Sequence, residues 1–245
     1  MSDLRHSTKD KGDLALIKVI ADLRQHGILC CLPLSEHLPF DLVAVMPDMK
    51  TLIRVQVKYR SAVKSGFVKV EFRSNYYDSQ KIYSKPVDFT EIDAYAIYIP
   101  DVDEVCYFRV DALHKDASTL TLRFEPPKNN QRKGVNLVED FADPRLIARQ
   151  LRIHSVNLAC RQRTMQDELA LSRFIVYLQE HNQYPLLSNS MYTPFDLITV
   201  ESDMQTMTRY SVFNESMRPQ IHVDKLVQFT EDMEIPLILE NRAIK

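Results

Sequence analysis

Two absences limit what this chain of 245 residues can be. No apolar run approaches the roughly 18 residues that a membrane-spanning helix needs, and the first ten residues carry charges without the apolar core of a secretion signal. The cysteines lack the paired spacing of a zinc site, so reduced structural thiols are expected. We predict a cytoplasmic protein with no membrane association and no small-molecule cofactor.

The chain also lacks an overall positive charge. Its net charge is −2, and a composition of 26% charged and 45% apolar residues is typical of a globular protein. The charge is unevenly distributed, because residues 50–85 contain nine Lys or Arg and two acidic residues. Such a basic stretch is expected where a protein contacts a phosphate backbone. A solvated sheet edge rich in lysine is the alternative explanation.

Residues 39–60 predict a β-hairpin around which the rest of the chain is organised. Residues 42–45 are a short apolar strand, and Pro-Asp-Met at 47–49 supplies the turn. Apolar and polar residues alternate after the turn, which predicts a half-buried strand with one polar face. The polar face carries Arg54, Gln56, Lys58 and Arg60.

Three polar side chains are predicted to converge on this hairpin. Gln56 and Lys58 share a face, because side chains two apart on a strand lie about 7 Å apart, and the hairpin brings Asp41 beside them. Mg²⁺ prefers oxygen ligands such as the Asp41 carboxylate, the Gln56 amide and a strand carbonyl, while Lys58 can orient an attacking water. The predicted chemistry is Mg²⁺-dependent phosphodiester hydrolysis.

These residues resemble the signature of the PD-(D/E)XK nucleases, in the variant where Gln replaces the second acid. Pro-Phe-Asp at 39–41 is followed by Gln-Val-Lys at 56–58, and further matches are KGD at 11–13, PLSEH at 33–37, KYRSA at 58–62 and TEID at 90–93. Together they resemble the PD-(D/E)XK endonucleases encoded in bacterial group I introns. The resemblance implies a restriction-endonuclease-like fold and a homing-type endonuclease that cuts double-stranded DNA.

One position departs from the family's pattern. The resemblance implies a Glu on the first helix in the metal site, and the corresponding residue here is Leu16. Asp13 lies three residues earlier on the same helical face, so we include it among the catalytic candidates as a replacement carboxylate.

The order of the predicted elements indicates an α/β fold with a mixed central sheet flanked by helices. An amphipathic helix is predicted over residues 10–26, with Gly27 as its stop, and strands are predicted at 28–34, 67–72, 94–99 and 105–110. A second helix is predicted to start at Asp143 and to run through Leu151. Its basic face is either solvated or in contact with DNA.

The basic stretch supplies the predicted DNA contacts. Residues 73–83 mix aromatic and positive side chains in a predicted loop, which either stacks on bases or packs its tyrosines against the sheet. The predicted DNA-binding residues are Arg54, Arg60, Lys64, Lys69, Arg73, Tyr76, Tyr77 and Lys81.

The second half of the chain repeats the first. ELAL at 168–171 matches DLAL at 13–16, and PFDL at 194–197 matches PFDL at 39–42, both with a shift of 155 residues. We interpret this repeat as a tandem duplication. Residues 229–231 then resemble 89–91 at a shift of 140, which predicts that about 15 residues are missing. The predicted domains are a nuclease-like copy at 1–124, a linker with a basic helix at 125–163, and a degenerate, shortened second copy at 164–245.

The second copy is predicted to be inert. Ser211 stands at the position of Gln56 and Phe213 at that of Lys58, and a phenyl ring can neither bind a metal ion nor activate water. Asp196 is nevertheless present where the first copy has Asp41. The Pro-Phe-Asp turn therefore also has a structural role.

Three functions are compatible with these patterns. The first is a Mg²⁺-dependent homing-type DNA endonuclease with one active site per chain, acting as a homodimer whose second copies dimerise or position DNA. The second is a catalytically inactive relative that binds DNA or a partner protein, and the third is a purely structural pseudodimer. We also predict that similar helix faces at 15–23 and 170–178 form an interface between the copies.

Overall fold

A computed structural model of the protein describes residues 7–35, 37–63, 66–78, 81–113, 118–127, 134–148, 165–188, 195–201, 203–213, 224–228 and 237–240. The elements follow in the order α1 (Ser7–Gln25), β1 (Leu29–Pro33), β2 (Leu42–Val45), β3 (Leu52–Tyr59), β4 (Phe67–Glu71), β5 (Arg73–Asp78), β6 (Lys81–Pro86), β7 (Ala94–Ile99), β8 (Glu104–Arg109), β9 (Thr119–Arg123), α2 (Met165–Glu180), β10 (Tyr184–Ser188), β11 (Leu197–Val200), β12 (Met207–Phe213), β13 (Lys225–Gln228) and β14 (Leu237–Glu240). The predicted α/β class is confirmed.

The chain divides by its contacts into two compact units. Unit 1 comprises Met1–His26 and Ile53–Leu151, and unit 2 comprises Gly27–Leu52 and Arg152–Lys245. The predicted domain boundaries at residues 124 and 163 were drawn from the sequence repeat and do not coincide with the limits of these two units. The predicted domains stay a prediction. Within the described residues, neither α1 nor α2 combines the length and the apolar character needed to cross a membrane.

Helix α1 forms because its apolar side chains recur on one face and pack on the sheet of unit 1. Ala15, Val19 and Leu23 are fully buried, and the helix contacts β7 and β8. The helix ends at Gln25, and Gly27 follows with a φ of 72°, a conformation that side chains with a Cβ rarely adopt. The predicted first helix is confirmed, with its start three residues earlier than expected.

The sheet of unit 1 is mixed. Strand β3 runs parallel to β7, with Gln56 opposite Tyr95 and Lys58 opposite Ile97, and β7 runs antiparallel to β8. Every residue of β7 is buried, as expected for a strand that is covered on both faces. The strands predicted near 94–99 and 105–110 are confirmed.

Two further antiparallel pairs belong to unit 1. Strand β4 pairs with β9, and β5 pairs with β6 so that Arg73 lies opposite Pro86. Residues 73–83 therefore do not form the loop that we predicted. Cross-strand pairing satisfies their backbone donors and acceptors, and it does so without the apolar alternation by which strands are recognised in a sequence.

The helix predicted from Asp143 to Leu151 is wrong. The chain forms a single 3₁₀ turn at Pro144–Ile147, after which Ala148 has extended backbone angles, with φ −101° and ψ 138°. Asp143 caps this turn by accepting hydrogen bonds from the backbone N–H of Arg145 at 2.9 Å and from its guanidinium. Part of the predicted basic face is thereby engaged locally.

In unit 2 the described strands follow the order β14-β13-β12-β11-β10-β1-β2. Neighbouring strands are antiparallel except for β12 and β13, which are parallel. Helix α2 packs on this sheet, against β10 and β12, through the buried residues Ala170, Phe174 and Leu178. The helix faces at 15–23 and 170–178 thus each carry residues that are buried against the sheet of their own unit. The predicted interface between the two faces stays a prediction.

Strands β1 and β10 pair in a register that is centred on two residues at equivalent positions of the sequence repeat. Leu32 lies directly opposite Leu187, which follows it by 155 residues, the shift of the sequence repeat. On either side, Cys31 lies opposite Ser188 and Pro33 opposite Leu186. Equivalent strands that run antiparallel about one equivalent residue have the register of a local two-fold axis.

In both halves of the chain, the third strand pairs with a later strand that runs parallel to it: β3 with β7, and β12 with β13. Val55 lies opposite Ala94 in the first half, and Tyr210 lies opposite Lys225 in the second. Tyr210 follows Val55 by 155 residues and Lys225 follows Ala94 by 131, so the second half is 24 residues shorter at this point. Residues 229–231, for which a shift of 140 was predicted, lie outside the described residues.

The core of unit 2 gives a test of the contribution of α2 to stability. Phe174 is fully buried, with its ring centroid 5.2 Å from that of Tyr210. We expect Phe174→Ala to lower the free energy of unfolding by about 3–5 kcal/mol, because it removes a large buried ring and leaves a cavity. Val176→Ala, on the same helix at 53% exposure, should change it by less than about 0.5 kcal/mol. Equal effects in urea denaturation would contradict this packing.

Candidate active site

The predicted catalytic residues lie on the elements that the sequence predicted for them. Asp41 directly precedes β2 and is half-buried, next to the buried Phe40. Gln56 and Lys58 lie on β3, and both are half-buried. Asp41 belongs to unit 2, and the other two belong to unit 1. The convergence of the three side chains stays a prediction.

The turn between β2 and β3 is held by Asp48. Its carboxylate accepts hydrogen bonds from the backbone N–H groups of Lys50 and Thr51, at 3.0 and 2.8 Å, and from the Thr51 hydroxyl at 2.6 Å. The backbone N–H of Met46 donates to the Thr51 carbonyl at 2.9 Å, and Met49 has a φ of 57°. The predicted turn is confirmed, and it sets which residues of β3 fall on which face.

Arg54 has a structural role. It is 5% exposed, and its Nε and Nη2 donate to the two carboxylate oxygens of Asp93 at 2.9 and 2.8 Å. Its backbone N–H also donates to Asp93 at 2.8 Å, and the Asp93 backbone N–H donates back to the Arg54 carbonyl. This pairing corrects the predicted DNA contact of Arg54, because the guanidinium is buried and bound within the fold.

Arg209 repeats this arrangement in unit 2. Its Nε and Nη2 donate to Asp224 at 2.9 and 2.7 Å, its backbone N–H donates to the same carboxylate at 2.8 Å, and its Nη1 donates to the Met49 carbonyl at 3.1 Å. Burial raises the pKa of Asp224, but the hydrogen bonds from Arg209 outweigh burial and hold that pKa below its usual range. Asp93 and Asp224 were missed in the sequence, although the alignment of Arg54 with Arg209 was a signal for such a pair.

Asp196 shows what the repeated Pro-Phe-Asp turn does in the second half. The residue is 3% exposed, and its carboxylate accepts hydrogen bonds from the Val212 backbone N–H at 2.5 Å and from the Ser211 hydroxyl at 3.3 Å. Its own backbone N–H donates to the Tyr210 carbonyl at 2.8 Å. Asp196 therefore ties the start of β11 to β12, and the inertness of the second copy stays a prediction.

Two of the predicted DNA-binding residues are exposed on unit 1. Lys69 on β4 forms an ion pair with Glu71 at 3.1 Å, and both side chains are about half exposed, so the pair contributes little to stability. Arg73 at the start of β5 is also exposed. Arg60 is half-buried, and its Nη1 donates to the Tyr59 carbonyl at 2.8 Å.

For the remaining predicted DNA-binding residues, the structure describes the backbone alone or nothing. Tyr76, Tyr77 and Lys81 belong to the paired strands β5 and β6, whose backbone alone is described there. Lys64 lies outside the described residues.

The described residues offer few candidate ligands for a metal ion. Among the described residues, no group of three or more His, Cys, Asp or Glu is placed to hold a metal ion. Asp13 is exposed on α1, and Leu16 is half-buried. The predicted donors, one carboxylate from Asp41 and one amide oxygen from Gln56, suit Mg²⁺ chemically, because this ion keeps several waters and takes only one or two carboxylates beside substrate phosphates.

Three of the four cysteines are buried free thiols: Cys30, Cys31 and Cys106. Burial, and to a smaller extent the charge of Glu104, raises the pKa of Cys106 to about 12. Burial likewise raises the pKa of Cys31. Such thiols stay protonated at neutral pH and are poor nucleophiles and ligands, as expected for structural cysteines.

The role of Asp196 can be tested by two substitutions. We expect Asp196→Ala to lower the free energy of unfolding by about 1–3 kcal/mol, because it leaves the buried N–H of Val212 without an acceptor. Asp196→Asn keeps an amide oxygen at the same place and should lose less. Urea denaturation measures both variants, and a wild-type stability in Asp196→Ala would show that these hydrogen bonds contribute nothing.

Comparison with known proteins assigns the chain to a family. The profile of the PD-(D/E)XK endonuclease family matches residues 6–144, more than half of the chain. A solved structure of a bacterial homing endonuclease, I-Ssp6803I, is similar, with 29% identity, a TM-score of 0.44, and coverage of 52% of this chain and 84% of that one. No curated protein sequence matches the chain. The chain belongs to the PD-(D/E)XK endonuclease family.

Proposed function

We propose that this protein is a Mg²⁺-dependent DNA endonuclease of the homing type, with one active site formed by Asp41, Gln56 and Lys58. The observation that carries this proposal is the family match, which spans all three residues. Their order on the chain also follows the family signature, with the acid just before β2 and the Gln-x-Lys pair on β3.

Each of the three side chains has a distinct task in this proposal. Asp41 and Gln56 supply oxygen ligands to the metal ion, and Asp13 is the further candidate carboxylate. When bound, Mg²⁺ would supply a Lewis acid that neutralises phosphate charge and activates water. Lys58 orients that water, or its ammonium stabilises the negative charge that develops on the phosphate.

The proposed substrate is double-stranded DNA, contacted by the first copy. The remaining candidates are Arg60, Lys64, Lys69, Arg73, Tyr76, Tyr77 and Lys81. The difference in length between the two copies supports contact through the first. The second copy is 24 residues shorter in the region where the first carries β4, β5 and β6, which contain most of these candidates. Residues 164–245 also contain twelve acidic residues against six Lys or Arg, so this copy repels a phosphate backbone.

We propose that the two copies arose by tandem duplication and that the protein acts as a homodimer. The register of β1 with β10 and the matched Arg–Asp pairs support duplication. One chain offers one candidate active site, whereas a break in both strands needs either two sites or one site that acts on the strands in turn. A homodimer supplies two sites about a two-fold axis. The acidic second copy favours a role in assembly over a role in positioning DNA.

The competing proposal is a relative that binds DNA without cutting it. It is favoured by Leu16, which stands where the family resemblance implies a metal-binding Glu. Metal-dependent nicking of plasmid DNA separates the two proposals. A mobility shift of labelled duplex in EDTA, without nicking in Mg²⁺, would identify the binding protein.

Lys58→Ala tests the active site directly. We expect the cleavage rate in Mg²⁺ to fall by at least about 100-fold, because the substitution removes a charge that acts on water or phosphate. DNA affinity in EDTA should change by less than about 3-fold, since one lysine is a small part of a phosphate-contacting surface. Lys50→Ala, in the exposed turn before β3, is the matched control and should cut like wild type. Wild-type cleavage by Lys58→Ala would remove Lys58 from the mechanism.

Light scattering on the purified protein tests the assembly. At micromolar concentration we expect twice the mass of one chain, both alone and with a duplex. A monomer under both conditions would contradict the homodimer. It would leave single-strand nicking or passive binding as the activity of one chain.

A further inference from the structure

The segment that carries Asp41 belongs structurally to the C-terminal half of the chain. Strands β1 and β2 are part of the first sequence copy, yet Gly27–Leu52 forms a compact unit with Arg152–Lys245. Asp41 stands on the connection between these two strands, immediately before β2. The segment that carries this carboxylate is therefore held partly by residues of the second copy.

The first contact that holds this segment is a backbone ladder. Strand β1 pairs with β2, with Cys31 opposite Val43, and on its other side β1 pairs with β10, with Leu32 opposite Leu187. The ladder continues past the strand, because the backbone N–H of Leu34 donates to the Pro185 carbonyl at 3.2 Å. Without β10, this side of β1 would be an open sheet edge, which is the least restrained position in a sheet.

The second contact comes from the side chain of Arg209. Its Nε and Nη2 are fixed by Asp224, and its Nη1 donates to the carbonyl of Met49 at 3.1 Å. Met49 lies in the turn that follows β2, in a left-handed backbone conformation. A planar guanidinium with five donors can make all these bonds at once, whereas a lysine ammonium can donate from a single point only.

We propose that the second copy serves the active site of the first by positioning the β1–β2 pair that carries Asp41, and that Arg209 is a positioning residue in this task. The inference rests on the proposed nuclease function and names how its site is held. This role explains the composition of the second copy. The copy has no functional equivalent of Gln56 and Lys58, but it does have the Arg209–Asp224 pair and β10, the strand that pairs with β1. Arg209 is not a catalytic residue, because its bonds go to Asp224 and to Met49 rather than to substrate.

Arg209→Lys tests the proposal in the full-length protein. The lysine keeps a positive charge for Asp224 but cannot also reach the Met49 carbonyl. We expect hydrogen exchange of the amides in residues 42–52 to become at least 5-fold faster in metal-free protein. The Mg²⁺ concentration for half-maximal plasmid cleavage should rise at least 5-fold, with DNA affinity in EDTA within 3-fold of wild type. Calorimetric titration of Mg²⁺ should show the same weakening without any turnover.

Two control variants separate positioning from a general loss of stability. Asp224→Asn removes the charge of the ion pair but keeps one amide oxygen that can accept from the Arg209 Nε and backbone N–H. Arg209 therefore still reaches Met49, and exchange in residues 42–52 should stay within 2-fold of wild type even if the melting temperature falls. Arg173→Lys makes the same chemical change on α2 and should leave both readouts unchanged.

The outcomes are decisive for the proposal. Unchanged exchange and Mg²⁺ dependence in Arg209→Lys would overturn it. Equal acceleration across all of unit 2 in Arg209→Lys and Asp224→Asn would also overturn it, because that is the signature of global destabilisation. If wild-type protein does not cut DNA at all, the proposed function fails, and the exchange measurement still decides whether Arg209 holds the turn.

Discussion

In each half of the chain, a bidentate ion pair ties the third strand to the residue from which its parallel neighbour starts. Arg54 with Asp93 and Arg209 with Asp224 form the same set of side-chain and backbone hydrogen bonds, with distances that agree within 0.1 Å. A buried guanidinium is costly unless it is paired, so the aspartate cannot be removed without a large loss. The pair thereby fixes the register of the strand, and in the first half that strand carries Gln56 and Lys58.

The two halves share framework interactions and differ in the polar residues at the proposed site. Both halves keep the ion pair, the turn held by an aspartate, and the acid of the Pro-Phe-Asp turn. The first half alone has Gln and Lys on the strand, together with the basic β4–β6 region. The second half has a buried serine, an acidic composition and a strand that completes the sheet beside β1. Framework interactions are thus shared, and the charge that DNA would contact is not.

Local patterns predicted most of the fold and the positions of the candidate site residues. The turn at Asp48, the strands β3 and β7, and the helix α1 all follow from alternation, periodicity and turn chemistry in neighbouring residues. The sequence failed where a partner distant in the chain decides the outcome. Arg54 looked like an exposed cation because it alternates with apolar residues, yet Asp93 lies 39 residues away and buries it. The β5–β6 pairing was missed for a different reason, because its residues lack the alternation of apolar and polar side chains by which strands are recognised.

The contrast between Asp41 and Asp196 limits what the Pro-Phe-Asp motif can mean alone. Asp196 is fully engaged by Val212 and Ser211, in a copy whose neighbouring strand has no lysine to act on water. The hydrogen bonds of Asp196 to the neighbouring strand are therefore enough to explain an aspartate at this turn, without any catalytic role. The two turns therefore differ in what stands on the neighbouring strand, which is the Gln-x-Lys pair of the proposed site on β3 and Ser211 and Phe213 on β12. Because Asp196 has a structural role at the equivalent turn, loss of cleavage in an Asp41 variant would not by itself separate folding from chemistry, whereas a Lys58 variant has no structural counterpart in the second half, where Phe213 stands.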